Sequence, residues 1–138
     1  MPTLPWLRIA AGPADSDATV MASRFVLRSR RHVPAFLRAA LRVRRQVQGS
    51  PGALGVSLIA EPLKATFWTL SAWRDRAALG DFVQKSPHAE TMRRFHEHMN
   101  DARFKFWTVP SSALPITWTD ARARLAADDA GGEGVGPS

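Results

Sequence analysis

Residues 53–73 read ALGVSLIAEPLKATFWTLSAW, and the fold turns on how this stretch is read. Two apolar runs rich in β-branched and aromatic residues, Ala53–Ala60 and Ala65–Trp73, flank a short connection, Glu61–Lys64, that contains a proline. Runs of this length joined by so short a link predict two antiparallel strands. Successive side chains of a strand face opposite ways. Trp68, Leu70 and Ala72 therefore point to one face, and Phe67, Thr69, Ser71 and Trp73 to the other.

Downstream, Asp75 is a good N-cap for a helix over Arg76–Lys85. Ser86-Pro87 restarts the helix, with Ser86 as cap and Pro87 in its first position, and the second piece extends to Asn100. Arg103–Val109 reads as another strand. Upstream, Ser50-Pro51-Gly52 is a turn. Before it lies a helix opened by Pro34 and closed after Gln48 by Gly49. Phe36, Leu37, Ala40, Leu41, Val43 and Val47 form its apolar stripe, with Arg38, Arg42 and Arg45 on the opposite face. Thr19–Leu27 supplies the first strand. The order β-α-β-β-α-β predicts an α+β, ferredoxin-like domain with an antiparallel sheet over residues 18–110. Residues 1–17 read as an irregular lead-in, with Leu7–Ala10 extended. Residues 111–127 read as a C-terminal extension with a short helix at Asp120–Ala127, and the acidic, glycine-rich 128–138 as a disordered tail.

Composition narrows the function. A chain of 138 residues that is 45% hydrophobic suits one globular domain. The absence of cysteine excludes disulfides, thiolate metal sites and a cysteine nucleophile, and the absence of tyrosine excludes a phenolic acid or base. No apolar run approaches the ~20 residues of a membrane span, and no signal-peptide pattern is present, so a cytoplasmic protein is expected. There is no Gly-x-Ser-x-Gly nucleophile and no phosphate-cradling glycine loop.

The net charge of +7 is unevenly placed: no acidic residue lies between Asp17 and Glu61, a stretch that carries Arg24, Arg28, Arg30, Arg31, Arg38, Arg42, Arg44 and Arg45. Such a surface attracts polyanions. No nucleic-acid-binding module accompanies it, so nucleic-acid binding through the arginine-rich helix is the least favoured function. Large aromatics fall on both sheet faces, with Phe104 and Phe106 on one side of the last strand and Trp107 on the other. A water-facing antiparallel sheet should turn polar on its open side, and an apolar patch of that size marks association. A homodimer with sheets face to face is therefore expected.

Phe67-Trp68-Thr69-Leu70-Ser71-Ala72-Trp73, then Asp75, Ala78-Leu79, Phe82 and Ser86-Pro87-His88, resemble the antibiotic-biosynthesis-monooxygenase-like superfamily, in a branch distantly similar to spheroidene monooxygenase-like proteins. The resemblance covers roughly residues 19–109. It implies a dimeric α+β barrel with a pocket between sheet and helices in each subunit. It also implies one of several chemistries: cofactor-free oxygenation of electron-rich aromatics, haem degradation, haem-dependent oxidation, chlorite or peroxide chemistry, or a dimeric role without catalysis.

His88 is the foremost candidate for chemistry. At helical spacing it shares a face with Met92, Phe95, His96 and Met99, the face that should look toward the sheet. A neutral imidazole in an apolar pocket can move a proton near pH 7 or ligate iron. His88 is thus the expected base, or the axial metal ligand where haem is bound, and the cofactor reading stays open between none and haem. Trp68 and Trp73 are expected as aromatic walls, with Phe82, Met92, Phe95 and His96 completing the pocket. Arg44 borders the apolar stripe, where it can hold a carboxylate by a bidentate fork. His96-Glu97-His98 makes no zinc site, because helical neighbours ~100° apart cannot converge on one ion.

The expected function is a small monooxygenase-like oxidoreductase of secondary metabolism acting on a hydrophobic aromatic or polyene molecule. The alternative is a non-catalytic dimeric binding protein for an apolar ligand.

Overall fold

The computed structural model describes residues 3–10 and 16–130. Five strands, β1 (Thr3–Arg8), β2 (Asp17–Leu27), β3 (Ala53–Glu61), β4 (Thr66–Trp73) and β5 (Met99–Pro110), form one antiparallel sheet in the order β1-β3-β4-β2-β5. The helices are α1 (Val33–Gln48), α2 (Arg76–Gln84), α3 (His88–Phe95) and α4 (Trp118–Ala130). The expected α+β, ferredoxin-like arrangement is therefore present, with one strand and one helix added at its ends.

β3 and β4 pair from Ala53↔Trp73 to Glu61↔Thr66. Ala65 closes their connection in the left-handed region at φ 50°. α1 carries Pro34 in its first turn and stops at Gly49, whose N–H donates to the carbonyls of Gln46 and Val47. Its buried side lies on the sheet through Phe36, Ala39 and Val47, while Leu41, assigned to the apolar stripe, turns outward and is 44% exposed.

Three local readings are corrected. The strand Thr3–Arg8, of which only Leu7 and Arg8 are expected to be extended, adds an edge to β3, and the Trp6 indole lies against Gly55. A Cβ at Gly55 would stand 2.1 Å from Trp6 Cζ2, so only glycine leaves room for the ring. Ser86 caps nothing: α3 begins at His88 with Pro87 as an N-cap that supplies no side-chain bond. α3 also stops at Phe95. Residues His96–His98 form a 3₁₀ turn, and β5 starts at Met99, four residues before the expected Arg103.

α1, α2 and α3 cover one sheet face. On the other, Val20, Ala22, Leu54, Leu70 and Ala72 meet Ala121 and Leu125 of α4, with Leu114, Ile116 and Trp118 packed around them. Trp118 Nε1 donates to Ser57 Oγ at 2.9 Å, and Ser57 Oγ donates to the Leu4 carbonyl at 2.7 Å. Arg122 and Arg124 lie over the rings of Trp68 and Trp107, 4.5 and 4.6 Å from their centroids. The face assigned from sequence to a second copy is thus met by the chain's own C-terminal helix, and the aromatics alone no longer require a partner. α4 starts earlier and reaches further than the expected Asp120–Ala127, carrying the packed unit beyond residue 110. The remainder of the expected tail, 131–138, lies outside the described residues. Among the described residues no helix is long and apolar enough to cross a membrane.

Candidate functional site

A small apolar cleft with about 70 Å³ of interior space, partly open to solvent, lies between the sheet and the first three helices. Its floor is Met21, Ser23 and Phe25 of β2, Val56 and Leu58 of β3, Thr69 and Ser71 of β4, and Phe104 of β5. Its roof is Phe36, Ala40, Val43, Arg44 and Val47 of α1, Phe82 of α2, and His88, Thr91 and Met92 of α3. The α1 residues recur every three or four positions and the α3 residues follow the same spacing, so each helix presents one stripe to the space.

Polar groups are few and each has a defined environment. Ser23 and Thr69 face each other across the β2–β4 ladder and share a hydrogen bond between their hydroxyls. Trp73 Nε1 donates to Ser71 Oγ at 2.9 Å. That bond occupies a lone pair of Ser71 and leaves its hydroxyl hydrogen free to donate into the cleft, strengthened by the donor behind it.

His88 is half-buried. Its Nδ1 lies 3.1 Å from the Val83 carbonyl oxygen, and its ring centroid is 4.9 Å from that of Phe82. A carbonyl can only accept, so Nδ1 carries the proton and, in the neutral ring, Nε2 is the basic nitrogen. Burial lowers the His88 pKa below its ordinary 6.5, opposed by the bond to Val83, so the ring is neutral at physiological pH.

Gln46 of α1 holds this histidine in place. Its Oε1 accepts the His88 backbone N–H at 2.8 Å, and its Nε2 donates to the carbonyls of Phe82 and Lys85, each at 3.2 Å. One side chain thereby takes up an open N–H at the start of α3 and adds a second bond to two carbonyls that already accept the Lys85 and Ala89 N–H groups.

Of the residues singled out from sequence, Arg44, Phe82, His88 and Met92 come together around the cleft. Trp73 stands behind it, buried against Phe82, and reaches it only through Ser71. Trp68 is on the opposite face beneath Arg122, its Nε1 donating to Glu61 Oε1 at 2.5 Å, so it is no wall of the cleft. Phe95 fills the core against Phe36 instead of lining the cleft. His96 sits exposed on the 3₁₀ turn, because α3 has ended one residue earlier. Sequence reasoning misses Ser23, Ser71, Thr91 and Gln46. The alternation of β4 does put Thr69 and Ser71 on the helix side, which is the available signal; nothing local marks Gln46. Among the described residues no group of three His, Asp or Glu converges on a metal position.

A five-stranded sheet with a helix-roofed apolar cleft defines the class: the fold of the antibiotic-biosynthesis-monooxygenase-like proteins. The chain belongs to the family described as Domain of unknown function (DUF3291), whose model matches residues 16–135. Among solved structures it is similar to a single-site mutant of SnoaB, a cofactor-independent oxygenase from Streptomyces nogalater. The identity is 16%, with 73% of this chain and all of that one covered, at a TM-score of 0.58. A structure described as antibiotic biosynthesis monooxygenase shares 17% identity over 65% of this chain and 95% of its own, at 0.57. A protein from Shewanella oneidensis shares 11% over 70% and 95%, at 0.61. No curated protein matches the chain.

Proposed function

We propose that the protein is a monooxygenase-like enzyme that oxygenates a small hydrophobic molecule without a cofactor, with His88 as the general base. The carrying observation is the Nδ1–H bond from His88 to the Val83 carbonyl, which leaves Nε2 as the basic nitrogen of a residue that lines an apolar cleft. Nε2 removes a proton from an acidic C–H of the substrate. The Ser71 hydroxyl, polarised by Trp73, hydrogen-bonds the substrate oxygen on which negative charge develops. The electron-rich carbanion then reduces dioxygen: a CH₂ group becomes a carbonyl, and the second oxygen atom leaves as water. Phe25, Phe36, Phe82 and Phe104 supply flat apolar walls for a ring or polyene. SnoaB, which shares this fold, is a cofactor-independent oxygenase, and that supports this choice of chemistry.

Oxygen uptake measured with an electrode against a set of electron-rich polycyclic CH acids tests the reading. His88→Ala should lower the rate by about 10²–10⁴, with ligand binding retained. Uptake that survives His88→Ala at full rate removes His88 as base.

The same Nε2 supports a second reading, in which His88 would hold a haem iron, because a ligating histidine commonly donates its other N–H to a carbonyl. The cleft lining carries a single cation, Arg44, for two haem propionates, so it fits that group less well. A Soret band on reconstitution that disappears in His88→Ala would replace the cofactor-free reading with the haem one.

A further inference from the structure

The cleft lining is apolar except for its hydroxyls, His88 and one permanent charge. That charge is Arg44. Its Nε is buried and has no hydrogen-bond partner among the described residues. No aspartate or glutamate lines the cleft, and none lies anywhere between Asp17 and Glu61, the segment that contributes Arg44 and half of the surrounding surface. Three other arginines each have a carboxylate to meet. Arg24 and Arg103 share Asp101 at 2.7 and 3.2 Å, and Arg124 pairs with Asp120 at 3.3 Å.

A buried guanidinium N–H without an acceptor is destabilising until water or a ligand completes it. A guanidinium matches a carboxylate geometrically, since both are planar forks that form two parallel bonds. Arg44 stands on α1 between Ala40 and Val47, which also line the cleft, and two residues before Gln46, which anchors His88. The anion site and the basic nitrogen therefore belong to one cavity held by one helix.

We infer that the substrate is a hydrophobic carboxylic acid, bound as its carboxylate by Arg44 with its ring system among the phenylalanines. The carboxylate fixes which carbon is presented to His88, which makes Arg44 a specificity-determining residue. The inference rests on the cleft being the substrate site, as proposed above, but not on turnover.

The test is calorimetric titration of the full chain with two probes of the same shape, 2-naphthoate and 2-naphthamide, at neutral pH and low salt. The carboxylate should bind at least about tenfold tighter than the amide, and added salt should shrink that margin. Arg44→Met should bring the two probes to equal affinity while leaving the amide unchanged. Arg44→Lys should keep part of the preference. The ligand-free Arg44→Met protein should melt no lower than the parent, because the buried Nε has no bond among the described residues for the substitution to break. Equal binding of both probes to the parent chain, no binding of either, or a preference that persists in Arg44→Met would each overturn the inference. Oxygen uptake lost in His88→Ala, found together with equal binding of the probes, would sink the carboxylate and leave the oxygenase standing. An Arg44-dependent preference without oxygen uptake on any acid would do the reverse.

Discussion

His88 carries a pH dependence whose sign follows from its surroundings. Burial lowers its pKa in the folded protein, and His32, stacked on His98 at a centroid distance of 4.1 Å, is lowered as well, by desolvation and then by the neighbouring charges of His98 and Arg31. The unfolded chain, with histidines near 6.5, then binds more protons than the folded one in mild acid. Stability is full above that value, falls as pH drops through it, and levels off below the folded pKa values. Melting curves at about pH 8 and about pH 5 should show the parent losing more than His88→Gln, and an equal loss in both would remove His88 as a contributor. The acid limb of the oxygenation rate should likewise have its midpoint below 6.5. Gln46→Leu strips the bonds to His88, Phe82 and Lys85, and should lower stability by roughly 1–3 kcal/mol and raise KM more than it lowers kcat. An unchanged denaturant midpoint would show the clamp to be idle. Helical periodicity makes Arg44, His88 and Met92 legible from sequence, because each lies on a stripe facing the sheet. Trp68 and Trp73 cannot both wall one cleft: they stand five residues apart on one strand, an odd separation that puts them on opposite faces. Gln46 is illegible because its partners are backbone groups of a joint whose path local sequence does not fix.

The strands and helices show which signals survive the absence of a partner. β3, β4 and α1 are long and strongly patterned, and their limits differ from expectation by a residue at most. β1 is hidden because an edge strand tolerates proline and needs one good face rather than a clean alternation; Pro5 falls where the register with β3 shifts between Leu4 and Leu7. The end of α3 is hidden because His96–His98 is polar and helix-compatible, and it is pairing with β2 that claims Met99 onward for β5. Gly55 is the point at which β1 and β3 depend on each other. Gly55→Ala should expel the Trp6 indole, seen as a red shift in tryptophan emission, with a stability loss of about 1–3 kcal/mol from overpacking. An unshifted spectrum would mean that the ring has another seat. Trp118→Phe keeps the apolar contact but breaks the relay from α4 through Ser57 to Leu4. It leaves Ser57 with one bond, for a loss of about 1 kcal/mol.

At the scale of the whole molecule, one sheet serves two roles that its β4 alternation keeps separate. The Thr69–Ser71 side faces the cleft, and the Leu70–Ala72 side is a closed core beneath α4. Aromatics on both faces point, in the sequence, to a second copy, because the segment after Pro110 carries no strong pattern of its own. Among its described side chains two, Ala121 and Leu125, are deeply buried, four residues apart on one edge of the helix. Leu125 is the largest of the fully buried side chains that hold α4 to the sheet, beside the contacts of Trp118, Arg122 and Arg124. Burying that side chain is worth about 1.5–3 kcal/mol, and a charge there is incompatible with the core. Leu125→Asp in the full chain should free α4 and expose Trp68, Trp107, Leu70 and Val20 as a continuous apolar face. Such a face should be covered by whatever matches it, and the best match present in a pure sample is the same face of another molecule. Light scattering across a concentration series should show Leu125→Asp associating more strongly than the parent chain, while probe binding in the cleft, on the other side of the sheet, stays within about twofold. Association equal to the parent's, with tryptophan emission showing the face exposed, would mean that the sheet face has no affinity for itself and that α4 serves only as a cover.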